Sequence, residues 1–157
     1  MKFPTLIGLI GGSVIACLQY ISMTNEPGGT FGWLLFYSPL IVYFMCIYIS
    51  IKRMMESSTE AVAPFKTGLK AGGVTALLIS TIWGIGIFIG ITHIDVAALV
   101  HYKIVHNERA DIPHVLANFS RQGIFDQTKF FTFPNFLLGF VMTVLVTVVF
   151  RLRKKTN

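Results

Sequence analysis

PFKTGLKAGGVTALLISTIWGIGIFIGITHI, residues 64–94, is the stretch that decides the reading of this chain. From Ala71 to Ile94 no residue carries a formal charge, with His93 neutral. About 20 apolar residues suffice to cross the hydrocarbon core of a bilayer. Lys66 and Lys70 stand just before the run and mark one membrane face. Inside it Gly72, Ala76, Ser80 and Gly84 recur at intervals of four. That spacing sets four small side chains along one helix face, where a neighbouring backbone can come close. The stretch reads as the central packing helix of a small membrane bundle, crossing over about 71–93.

Outward from it, the charges are segregated. Uncharged gaps of 23, 25, 24 and 21 residues separate Lys2 from Glu26, Glu26 from Lys52, Lys70 from Asp95 and Lys129 from Arg151. All 20 Asp, Glu, Lys and Arg lie outside those gaps. The chain of 157 residues is 13% charged, against about 25% for a soluble domain. The expectation is a single membrane domain, all-α and polytopic, with four transmembrane helices at about 5–23, 31–51, 71–93 and 133–150.

In the first span Gly8, Gly12 and Ala16 again stand four apart. Val14-Ile15-Ala16-Cys17 resembles a lipoprotein cleavage site, but Leu18-Gln19-Tyr20-Ile21 continues the apolar run past it. The loop 24–30, TNEPGGT, is a turn by its Asn, Pro and Gly. Phe31, Trp33, Phe36 and Tyr37 then form an interfacial aromatic cluster, and Pro39 interrupts the second span. In the loop 52–70, Ser57 with Glu60 fits a capping box and Pro64 suits a first helical turn. The outer segment, 95–132, is expected to be helical and amphipathic. Val96, Leu99, Val100 and Ile104 define one helix over about 96–107. Ile112, Val115, Leu116 and Phe119 define a second, starting at Asp111 and Pro113 and closing at Gly123. Leu99, Val100, Leu116 and Phe119 are expected to be buried against the headgroups or the bundle mouth. The fourth span carries Pro134 in its first turn, then Gly139, Thr143 and Thr147 at intervals of four.

The net charge of +6 raises nucleic acid as a partner in a soluble protein, but here the basic residues cluster at membrane edges. With the N-terminus inside, Lys2, Lys52, Arg53, Lys66, Lys70, Arg151, Arg153, Lys154 and Lys155 all lie inside. Lys103, Arg109, Arg121 and Lys129 lie outside. The positive-inside rule then places both termini in the cytoplasm. The lipid bilayer is the partner, and the four basic residues of 52–70 fit either contact with anionic headgroups or a topology signal alone. The small-residue stripes on three spans point to a homo-oligomer or a membrane-protein partner. Cys17 and Cys46 fall at different depths and read as small buried hydrophobes.

Ion-coupled transport needs an ionisable group at membrane depth, and no span holds one. The polar candidates at depth are Gln19, Ser38, Tyr43, Thr75, Ser80, Thr81, Asn135, Thr143 and Thr147. Hydroxyls in such spans mostly bond their own backbone or a neighbouring helix. No catalytic, cofactor-binding or metal-ligating residue is assigned, and no cofactor is expected. The leading reading is a non-enzymatic structural or accessory subunit. One alternative is a small oligomeric permease with Pro39 and Tyr43 beside a path between the second and third spans. Another is a membrane-surface metal-dependent enzyme using His106, Glu108, Asp111 and His114.

The segment Pro64-Phe65-Lys66-Thr67-Gly68-Leu69-Lys70-Ala71-Gly72 resembles the stretch entering the third span in the DUF4199 family, domain of unknown function 4199. Phe133-Pro134, Leu138-Gly139, the closing residues Arg151 to Lys155 and the order of spans support the likeness over the whole chain. The resemblance implies a small inner-membrane protein of Bacteroidetes-type bacteria. It assigns no activity and no site residues.

Overall fold

A computed structural model describes residues 2–24, 29–57, 64–105 and 108–156, without the side chains of 23, 24, 29–36, 64, 102, 131 and 153–156. The order is α1 (Lys2–Thr24), α2 (Gly29–Glu56), α3 (Pro64–Thr92), α4 (Val96–Val105), a 3-10 turn (Arg109–Asp111), α5 (Ile112–Asn118) and α6 (Arg121–Thr156). The fold is all-α among the described residues, and four helices, α1, α2, α3 and α6, are long and apolar enough to cross a membrane. Segregated charge explains this: buried backbone in lipid must bond within its own segment, and only uncharged side chains can surround it.

The spans outrun their hydropathic limits. α2 continues to Glu56, and α3 begins at Pro64, where the missing N–H costs nothing. The largest correction concerns α6. It starts at Arg121 rather than near 133, so Pro134 lies well inside it and Gly123 sits in its first turn instead of closing α5. The cause is local. The Ser120 hydroxyl accepts the Gly123 N–H at 3.1 Å and thus caps a new helix. α5 has already ended at Asn118, and the Gln122 amide then bonds Asp126 one turn on. The uncharged run marks an apolar window, not where the helix starts. The turn at 25–28, Glu60 of the expected capping box, and His106 lie outside the described residues, as do the side chains of Phe31, Trp33 and Phe36.

α3 is the centre. It packs against α1, α2 and α6, while α1 and α6 make no contact with each other among the described residues. The Gly72 stripe faces α6 in strict antiparallel register. A methyl built on Gly68 would meet Thr147 at 2.7 Å, and one on Gly72 would meet Thr143 at 2.5 Å. One on Gly139 would meet Ala76 at 3.0 Å, and one on Gly84 would strike Thr132. The α6 threonines are turned to match. Thr143 and Thr147 donate to the carbonyls of Gly139 and Thr143, one turn back. They therefore present methyl groups to the α3 glycines. The Gly8 stripe of α1 fits a second face of α3, in parallel register. Gly8 lies against Leu78, Gly12 against Ile82 and Ala16 against Gly86.

These registers bring the starts of α1 and α3 and the ends of α2 and α6 to one end of the molecule. There Arg53 lies over the Phe3 ring at 5.4 Å and Arg151 over Phe65 at 5.6 Å. The core between the helices is Ile15, Ile47, Ile51, Met55, Ile79, Trp83 and Ile87, with Tyr43 among them. Cys46 is half-buried beside Gly11, but Cys17 is exposed on the outer surface of α1, contrary to its expected burial.

At the other end, the carboxylate of Asp95 accepts the N–H groups of Ala97 and Ala98 and caps α4. Among the described residues α4 touches only α5 and the 3-10 turn, and α5 touches α6. Phe119 and Ile124 pack down on the core, and Leu99 and Val100 are half-buried. Leu116 is 54% exposed, so it does not pack against the bundle mouth.

Candidate functional site

Among the described residues, three polar clusters and a groove between α3 and α6 result from this packing. The deepest cluster is at Tyr43. Its side chain is fully buried. The hydroxyl donates to the Asn135 carbonyl at 2.9 Å and lies 3.0 Å from the Ser80 hydroxyl. It ties α2, α3 and α6 together at mid-span. Gly139 makes room for it: a side chain there would strike the phenol oxygen. Trp83 meets the ring edge-on and donates its own N–H to Gln19 of α1 at 3.4 Å. One aromatic pair thus reaches all four spans.

The second cluster lies nearer the basic end. The Thr75 hydroxyl is 2.8 Å from Ser50 Oγ, 3.0 Å from the Ala71 carbonyl and 3.2 Å from the Pro4 carbonyl. This joins α1, α2 and α3. Ser50 was missed in the sequence because it stands close to the expected end of its span. Its full burial makes it part of the interior.

The third cluster is at the opposite end. Lys103 pairs with Glu108 and, at 3.2 Å, with Asp111. Glu108 first, and Asp111 with it, holds the ammonium pKa above the ordinary lysine value. Asp111 therefore serves this pair; it makes no side-chain cap for α5. His114 is exposed, and the described residues contain no group of three His, Cys, Asp or Glu able to hold a metal. Glu108 and Asp111, named for a metal-dependent site, are instead the two acids that pair with Lys103. Pro39 and Tyr43, named for a permeation path, are both buried in the packed interior.

The groove runs along the seam between α3 and α6. Its volume is about 700 Å³. Leu77, Ser80 and Thr81 line one wall, and Thr132, Phe133 and Phe136 the other. Asp126 and Lys129 stand at its rim. It exists because α1 and α6 flank α3 without touching, leaving a strip of α3 uncovered. The sequence held one clue to it. Thr128 and Thr132 are four apart and continue the Gly139 stripe upstream, which places the start of the packing face inside the outer segment.

Fold and contacts together define a multi-pass, all-α membrane protein. Compared with family models, with curated proteins and with solved structures, the chain shows no match.

Proposed function

We propose that the protein is a non-enzymatic accessory subunit of the bacterial inner membrane, the location that its resemblance to the DUF4199 family implies, with both termini cytoplasmic as the placement of its basic residues favours. The observation that carries this reading is the use made of the polar interior. Among the described residues no buried side-chain nitrogen or oxygen lacks a hydrogen-bond partner. The hydroxyls of Tyr43, Ser80, Ser50 and Thr75 join helices, while those of Thr81, Thr143 and Thr147 bond their own backbone, so the polar interior is given over to structure. The basic end supports the orientation and a contact with anionic headgroups. The small-residue stripes are occupied within the chain, so a partner subunit or second copy would use other surfaces. α1 and α6 offer them: only 22% and 17% of their apolar windows are buried.

Extraction into native lipid discs, followed by native electrophoresis, tests the reading. A complex containing a second membrane protein in fixed ratio, recovered with the tag at either terminus, is expected. Solute flux through proteoliposomes of the pure chain would overturn it.

A further inference from the structure

We propose that the α3–α6 groove is a binding site for one phospholipid whose headgroup carries both a phosphate and an ammonium, an ethanolamine phospholipid. The groove's shape decides for a lipid chain over a helix. Its floor, Leu77 and Ser80, lies at the middle of the 29 residues of α3. Its rim, at Asp126, is ten residues from Phe136 along α6, about 15 Å at the helical rise and half of a bilayer core of roughly 30 Å. That is the depth of a single leaflet. A transmembrane helix from a partner would run on past the floor.

The chemistry of the walls agrees. Thr81 donates to the Leu77 carbonyl at 2.8 Å and Thr132 to the Thr128 carbonyl at 2.7 Å. Ser80 is held by Tyr43. The hydroxyls are spent on protein partners, so Leu77, Phe133, Phe136 and the threonine methyls offer a hydrocarbon surface. Both charges sit at one end, as a lipid's do. Lys129 and Asp126 stand one turn apart, their charged atoms 4.0 Å from each other and both well exposed. Gln122 bonds both carboxylate oxygens of Asp126 and fixes its position. Lys129 lies 4.0 Å over the Phe125 ring. A phosphate on Lys129 and an ammonium on Asp126 satisfy both with opposite charge. The site is independent of the accessory-subunit reading and stands or falls without it.

The test is native mass spectrometry of the full chain in detergent, titrated with ethanolamine and glycerol phospholipids of the same acyl chains. One ethanolamine lipid is expected to bind first, preferred by up to about fivefold, the range of an exposed ion pair. Asp126→Asn should abolish the preference, and Lys129→Gln should weaken both lipids. Thr81→Trp and Leu77→Trp, at exposed positions, fill the groove and should reduce the first binding event at least about fivefold. Circular dichroism confirms that each variant is folded. Unchanged binding in both Trp variants overturns the site. Equal affinity of the two lipids overturns the headgroup assignment, and a second copy crosslinked through Thr81→Cys replaces the lipid with protein.

Discussion

Tyr43 shows how much one hydroxyl organises. Removing it in Tyr43→Phe leaves Ser80 and the Asn135 carbonyl without their shared partner. Hydrogen bonds between membrane helices average about 0.6 kcal/mol, so a loss of that order, and up to about 2, is expected. Reversible unfolding in mixed micelles measures it. Gly139→Ala drives a methyl into the same oxygen and should cost more. Combined with Tyr43→Phe it should cost less than alone, though not nothing, because the ring carbon bearing the hydroxyl also lies 2.6 Å from that methyl. Additive effects would mean the two residues do not meet. Two neighbouring glycines make a sharper comparison. Around Gly73 nothing lies within 4 Å, so Gly73→Ala should be neutral or stabilise by up to about 1 kcal/mol through helix propensity. Gly72→Ala should destabilise, because Thr143 fills its space.

At the scale of elements, the spans were legible and their ends were not. Charge gaps located the four helices that are long and apolar enough to cross, since a charge in lipid is costly whatever its neighbours. The stripe of α3 was equally plain, but which surface it served was not. Spacing shows that a face is small, and only the register shows that α6 occupies it. Ser120 is the opposite case: one hydroxyl restarts a helix inside a polar stretch, and no periodicity announces it. The outer end depends on such single contacts. Lys103→Met should release α4 from the 3-10 turn, and faster hydrogen exchange over 96–105 with unchanged rates in α3 would show it. The pH dependence has a definite sign. Since folding raises the Lys103 pKa, its pairing is complete below the ordinary lysine value and lost as pH rises through the higher, folded one. The protection of α4, taken relative to the intrinsic base-catalysed exchange rate, should therefore fall only in strong alkali. The exposed position of this pair keeps the effect local.

For the molecule as a whole, the registers make orientation a question with one answer. Both described ends of the chain, the start of α1 and the end of α6, stand on the same side. A reporter fluorescing only in the cytoplasm should be bright when fused after Asn157. An exported phosphatase inserted after Arg109 should be active. The opposite pair of results would invert the topology without disturbing the fold.

The register between α3 and α6 also sets an order of assembly. α1, α2 and α3 leave the ribosome consecutively and can associate as they emerge. The face of α3 bearing Gly68, Gly72 and Gly84 must wait for Thr132, Thr143 and Thr147. At about 5–20 residues per second, that partner arrives seconds later. During the interval a close-packed seam of the finished protein is an unfilled trough, open to any passing helix. A chain whose synthesis stops before α6 would carry that trough permanently, and quality control that recognises unpaired small-residue faces would find it there.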